Sequence, residues 1–152
     1  MGGFLGSLIG LIATIVVSTT PAPNPALLKL DEFLQSKNSP LPAVELIQYS
    51  NWPVIVALSA AESGYGRHLA GDFNAWGIKE FRAGNRNYGG TRDFVSWSES
   101  IKFTSELLYH YDEEGMPGPN EMVVKWKAAM PYRHWVNNVS YSLWDIEEKV
   151  LS

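Results

Sequence analysis

The sequence predicts a mainly α domain in which short helices surround one buried central helix and carry a small β-hairpin lobe. The chain has 152 residues, of which 45% are hydrophobic and 18% charged, so it can form one globular domain. Apolar residues recur at helical spacing in most segments after residue 26. Residues 74–95 instead hold short extended segments on either side of a turn rich in Gly and Asn.

The first 18 residues differ in character from the rest of the chain. Met1–Val17 is apolar, and the first ionisable side chain is that of Lys29. Such a run approaches the ~20 residues that a helix needs to cross a bilayer. We therefore expect residues 1–18 to be a signal or membrane anchor, and the poor cleavage site favours an uncleaved anchor. The alternative is an N-terminal helix buried in the domain. The Pro-rich residues 19–26 then form a linker to the domain, residues 27–152.

Three helices are predicted in the first half of the domain. Ala26–Lys37 carries an apolar stripe at helical spacing. Pro42, at a first-turn position, begins a short helix over Ala43–Tyr49. Pro53–Ser63 is almost wholly apolar, with Asn51 as its expected N-cap, and this predicts the central buried helix.

A β-hairpin and a long helix are predicted next. Residues 74–81 and 91–95 are the expected strands, joined by the turn-rich stretch between them. Ser96 and Glu99 have the spacing of a capping box, which opens a helix that runs through Tyr111.

Two further helices complete the predicted domain. Asn120 is the expected cap of a helix over Glu121–Met130. Pro131 breaks the chain, and Tyr141–Leu151 is the last amphipathic helix.

Composition excludes several functions. The chain has no cysteine, which rules out disulfides, thiolate metal sites and a Cys nucleophile. No two of its three histidines (His68, His110 and His134) have a metal-ligand spacing on a helix, so we expect no metal or other cofactor. A net charge of −4 without a basic run argues against nucleic acid as a partner. A monomer is expected.

Glu62 is the first candidate for chemistry. It lies at the end of the most apolar helix and shares a face with Leu58 and Ile55, four and seven residues earlier. Burial and the negative end of the helix dipole should both raise its pKa, as a general acid requires. The alternative is a glutamate that turns to solvent at a frayed helix end.

Three segments in order carry a family resemblance. They are Ala61-Glu62-Ser63-Gly64-Tyr65-Gly66, then Asn74-Ala75-Trp76-Gly77-Ile78-Lys79, then Phe94-Val95-Ser96-Trp97-Ser98-Glu99-Ser100-Ile101. Together they resemble the lysozyme-like superfamily, most closely the bacterial endo-β-N-acetylglucosaminidases that include flagellar muramidase-type domains. The resemblance covers about residues 40–151.

The resemblance implies an α+β lysozyme-like fold that cuts β-1,4 bonds in the glycan strand of peptidoglycan. Glu62 would protonate the leaving oxygen, and the residues expected to bind substrate are Ser63, Asn74, Trp76, Gly77 and Tyr88. For Trp76, a core ring where the hairpin meets a helix is an equal alternative. The domain would act outside the cytoplasm, secreted or held at the cell envelope by residues 1–18.

A second catalytic residue is less well marked. Glu80 and Asp93 are the acidic candidates in the lobe, and Tyr132 falls near a later Tyr of the family. Surface ion pairs for the two acids, and packing of Tyr132 against Trp135, are the alternatives. Other functions therefore stay open: a muramidase, a lytic transglycosylase that uses one acid, or an inactive module that binds glycan.

Overall fold

The computed structural model describes residue 22 and residues 24–127 and 129–152. Within these residues the chain forms six α-helices and one π-helical segment. In chain order they are α1 (Pro25–Ser36), α2 (Ala43–Leu46), α3 (Trp52–Ser63), α4 (Trp97–Tyr109), α5 (Pro119–Trp126), α6 (Arg133–Ile146) and the π-helix Glu147–Leu151. The predicted mainly α class is confirmed.

Helix α3 is the centre of the core, as its composition predicts. Trp52–Ser59 is buried without interruption, and α6 and α4 pack against it. The helix ends at Gly64, whose φ of +60° is the left-handed conformation that glycine adopts at least cost. Asn51 precedes the helix, but its side chain does not cap it. It is buried and exchanges hydrogen bonds with Ser105 of α4, with its Oδ1 accepting from the Ser105 hydroxyl at 2.8 Å.

Helix α1 ties the two ends of the domain together. The Asn24 side chain caps it by accepting from the backbone N–H of Ala26. The helix packs against α2 and against the π-helix. At its end, Lys37 donates to the buried Asp145 of α6 at 2.6 Å, and Lys149 of the π-helix donates to the same carboxylate at 2.6 Å.

The predicted pair of strands is reduced to one antiparallel bridge, Lys79 to Thr91, within the described residues. The side chain of Asn74 explains why the ladder stops there. Its amide donates to the carbonyl oxygens of Ile78 (2.9 Å) and Arg92 (2.8 Å), and its oxygen accepts from the Ile78 N–H at 3.0 Å. Backbone groups that a longer ladder would pair are thereby occupied by a side chain.

Helix α5 lies two residues earlier than predicted at its start and four at its end. Gly118, not Asn120, is the N-cap, because Pro119 takes the first helical position that suits its fixed φ and missing N–H. The helix ends at Trp126 because Lys127 is extended.

The last α-helix begins at Arg133, eight residues before the predicted start at Tyr141. Trp135, Val139 and Ile146 are buried at spacings of four and seven, so one apolar stripe runs along the whole helix. The prediction placed the break of Pro131 correctly but missed the first two turns of this stripe.

None of the helices in the described ranges is long and apolar enough to cross a membrane. The predicted anchor, residues 1–18, lies outside the described residues.

Candidate active site

The Glu62 carboxylate is held by the packing of α3 against α6. Glu62 is the last residue but one of α3 and is half-buried. Its Oε1 accepts a hydrogen bond of 2.5 Å from the indole Nε1 of Trp135, a buried residue in the first turn of α6. The side chain therefore does not swing to solvent at a frayed helix end, because a donor from a second helix fixes its orientation.

The second carboxylate oxygen faces Gly77. A Cβ built on Gly77 would lie 3.3 Å from Glu62 Oε2, and Gly77 is exposed with a φ of +65°. The glycine thus gives the carboxylate an opening that a side chain would crowd, in a backbone conformation that other residues rarely adopt. No described residue donates a hydrogen bond to Oε2, so this oxygen is accessible to a ligand from the side of Gly77.

Ser63 and Asn74 build the frame of this opening, and their side chains bond to the protein backbone. Both are buried. The Ser63 hydroxyl donates to the Ala75 carbonyl at 2.7 Å and accepts from the Gly66 N–H at 2.9 Å, so it joins the end of α3 to the segment that carries Gly77. Asn74 closes the turn around Gly77 through its bonds to Ile78.

The Trp76 ring lies in the core, which is one of the two interpretations left open by the sequence. It is fully buried and its Nε1 donates to the Ile55 carbonyl of α3 at 2.8 Å. It also packs edge to face on Trp97 at 6.4 Å between centroids. Its carbonyl oxygen accepts from Nε1 of Trp126 at 3.0 Å, which connects the turn to α5.

Glu80 is buried in an ion pair that occupies both of its oxygens. Arg82 donates through Nη2 to Oε2 at 2.5 Å and through Nε to Oε1 at 2.9 Å, and the Arg82 backbone N–H adds a third bond. These bonds lower the pKa of Glu80 from 4.5 to about 2. The carboxylate is ionised and fully paired, so it is poorly placed to activate a water molecule.

Asp93 accepts a hydrogen bond on each of its carboxylate oxygens. Its Oδ1 accepts from the Asp72 N–H at 3.0 Å and its Oδ2 from the Asn87 side chain at 2.8 Å. With Phe73 and Trp97 it lines a pocket of about 400 Å³ that shares no residue with the pocket beside Gly77.

A second pocket, of about 230 Å³, begins at Gly77 and lies between the bridge segment, α4 and α5. The residues that line it are Gly77, Ile78, Lys79, Phe81, Phe103, Leu107, Tyr111, Lys125 and Trp126. We call it the Gly77 pocket. Tyr88, a predicted binding residue, is exposed and packs edge to face on Phe81 with 6.3 Å between ring centroids. It therefore adds an aromatic ring at the edge of this pocket.

Tyr132 lies at the N-cap of α6, three residues before Trp135, and is half-buried against the core. Packing against the core is therefore the role that the structure shows for the Tyr132 side chain. In the part of the chain that the structure describes, no group of three or more His, Asp or Glu side chains is arranged to hold a metal ion.

Sequence reasoning missed Trp135 as a partner of Glu62, and it missed the lysines and Trp126 of the Gly77 pocket. Trp135 is 73 residues away from Glu62 along the chain, and no local pattern predicts that contact. The apolar spacing of Trp135 to Val139 could have placed it on the buried face of α6.

Comparison of the chain with protein-family models, with curated proteins and with solved structures finds no match.

Proposed function

We propose that this chain is a peptidoglycan hydrolase that cuts β-1,4 glycosidic bonds of the glycan strand, of the endo-β-N-acetylglucosaminidase type, with Glu62 as its general acid. The observation that carries the proposal is the Glu62 carboxyl, fixed at Oε1 by Trp135 and open at Oε2 beside the exposed Gly77. The motif resemblance supports the same residue, and with it a lysozyme-like architecture in which residues 74–95 form the lobe beside the cleft.

The proton transfer follows from this geometry. Oε2 donates its proton to the glycosidic oxygen as the bond to the anomeric carbon breaks, and the Trp135 N–H stabilises the carboxylate that remains. The aromatic rim made by Phe81, Tyr88 and Trp126 offers flat apolar faces on which sugar rings can stack.

A lytic transglycosylase is the second candidate, and the pairing of both lobe acids favours it. Glu80 is bound on both oxygens by Arg82, and Asp93 accepts hydrogen bonds from the Asp72 N–H and the Asn87 side chain. Hydrolysis normally uses a second carboxylate, at ~5 Å from the acid or at about 6.5–9.5 Å. Without one, the substrate itself completes the reaction. Either its N-acetyl group attacks the anomeric carbon and water then opens the intermediate, which is hydrolysis, or its own hydroxyl attacks and gives the anhydro sugar of a transglycosylase.

The experiment is digestion of purified walls by the full chain in mild detergent, with fragments identified by mass spectrometry before and after borohydride reduction. Reduced N-acetylglucosamine ends support the proposal. Reduced N-acetylmuramic acid ends indicate a muramidase, and anhydro ends that do not reduce indicate the transglycosylase. No fragments from several wall types, with binding retained, would leave a glycan-binding module.

Glu62→Gln should abolish the digestion, because the amide keeps the hydrogen bond from Trp135 but has no proton to give. Glu113→Gln is the matched control, since Glu113 is exposed outside the site. Full turnover by Glu62→Gln contradicts the assignment, and unfolding of that variant gives Glu62 a structural role.

We further propose that residues 1–18 hold the domain at the outer side of a membrane, on the evidence of their uncharged apolar run. Cell fractionation tests this, and intact full-length protein in the soluble cytoplasmic fraction would contradict it.

A further inference from the structure

The charge of the Gly77 pocket is opposite to that of the chain. The protein carries a net charge of −4, yet the pocket is lined by Lys79 and Lys125 and by no acid. We propose that this pocket binds a carboxylate of the peptide stem that is attached to the glycan strand. The identity of that ligand rests on the proposed function, whereas the preference for an anion rests on the pocket alone.

Both lysines are available to a ligand. Lys125 Nζ donates to the Tyr111 carbonyl at 3.3 Å and lies 4.9 Å from the centre of the Tyr111 ring. An ammonium group has three donors, so Lys125 keeps two. Neither lysine is in an ion pair with an Asp or Glu of the described residues, unlike Lys37, Lys102 and Lys149.

The rest of the pocket is apolar, which selects among anions. Aromatic rings of Phe81, Tyr111 and Trp126 form its walls, and Phe103 and Leu107 of α4 add to them. A charge bound beside such walls is less screened than one in open water. The pocket therefore fits an anion attached to a hydrocarbon body, such as a peptide carboxylate beside methyl or methylene groups.

The position of the pocket links this anion to the reaction. Gly77 borders the pocket and also lies against Glu62 Oε2. A carboxylate held by the lysines would then belong to the same strand as the bond being cut. Its contacts would anchor the strand and act on KM more than on kcat.

Phosphate shares the anionic chemistry, because wall polymers also carry phosphodiesters. The test therefore uses three wall preparations: intact walls, walls whose peptide carboxylates are converted to neutral methylamides by carbodiimide coupling, and walls stripped of phosphate polymers by hydrofluoric acid. The full chain is compared with Lys79→Gln and Lys125→Gln. Lys102→Gln is the matched control, because Lys102 is an exposed lysine of α4 outside the pocket.

We expect each pocket variant to raise KM about fivefold on intact walls and on phosphate-free walls, with kcat little changed. On the walls with neutralised carboxylates, the two variants, the control and the parent chain should have equal KM. Lys102→Gln should match the parent chain on every wall, and urea unfolding should show that all variants remain folded.

The outcomes separate the two proposals. Equal KM for all variants on intact walls, with Glu62→Gln inactive, overturns the carboxylate site and leaves the hydrolase standing. A lysine effect that disappears on phosphate-free walls overturns the peptide ligand in favour of phosphate. If no wall is cut, muramyl dipeptide is titrated by NMR instead. Binding that Lys125→Gln abolishes then supports the pocket without the hydrolase, and no binding overturns both.

Discussion

Replacing Trp135 by Phe removes the one side chain among the described residues that donates a hydrogen bond to the proposed acid. The Trp135 indole N–H bonds to Glu62 Oε1, and the ring is 6% exposed. A hydrogen bond to a charged acceptor contributes about 1.5–3 kcal/mol to stability, and the half-buried position of Glu62 favours the lower end. The smaller ring also gives up packing of about 1 kcal/mol. We therefore expect the free energy of unfolding to fall by about 2–3 kcal/mol.

The assay is urea unfolding of the full chain, followed by far-ultraviolet circular dichroism so that the lost indole does not distort the signal. In a Glu62→Ala background, Trp135→Phe should cost about 1–2 kcal/mol less, because the partner is already absent. Turnover should fall about tenfold, since 1.4 kcal/mol of lost carboxylate stabilisation corresponds to that factor.

Trp144→Phe is the control on the same helix. Trp144 is 53% exposed and lies away from Glu62, so its replacement should change the free energy of unfolding by less than about 0.5 kcal/mol. If the two variants change the free energy of unfolding and the turnover by the same amounts, the Trp135 indole does not hold the Glu62 carboxyl, and the reasoning is refuted.

Two further predictions concern the turn and the lobe. Gly77→Ala and Gly84→Ala share a positive φ (+65° and +80°), so each should destabilise the fold by about 1–2 kcal/mol, but only at Gly77 does the new methyl crowd Glu62. Turnover should fall for Gly77→Ala alone, and equal turnover of the two variants would contradict the site. Because hydrogen bonds from Arg82 lower the pKa of Glu80 from 4.5 to about 2, the stability from this pair is complete above pH 4.5 and is lost as the pH falls through about 2. Melting curves should show that Arg82→Met loses less stability than the parent chain as the pH falls across that range. Equal losses in the two proteins would contradict the pairing of Glu80 with Arg82.

The sequence predicts best where one pattern governs an element. The unbroken apolar run of α3 can only be buried, and the Ser96–Glu99 pair opens α4 because the Ser96 hydroxyl accepts from the Glu99 N–H at 3.1 Å. The start of α6 was missed because its stripe has few members there: Trp135 and Val139 are the buried apolar residues of the first two turns, and exposed polar residues stand between them in the sequence.

The residues of the candidate site also differ in whether a local sequence pattern predicts them. Glu62 and Gly77 come from local motifs, and the structure brings them together. The contact with Trp135 depends on how α6 crosses α3, which no spacing within either segment encodes. Burial of Asn74 was equally hard to predict, because its hydrogen bonds to the backbone of Ile78 and Arg92 are not evident from the sequence. For Trp76, burial in the core was one of two interpretations, and the hydrogen bond to the Ile55 carbonyl supports it.

The proposed acid and the residues that would select its substrate differ in how deeply they are built into the core. Glu62 and Trp135 are set in α3 and α6, which pack against each other in the core, whereas the side chains of Lys79, Phe81 and Tyr88 are exposed. Substitutions of these three exposed side chains can therefore accumulate at little cost to folding. Under the proposed function, the protein could acquire new wall preferences by varying these positions while the proton donor stays where it is.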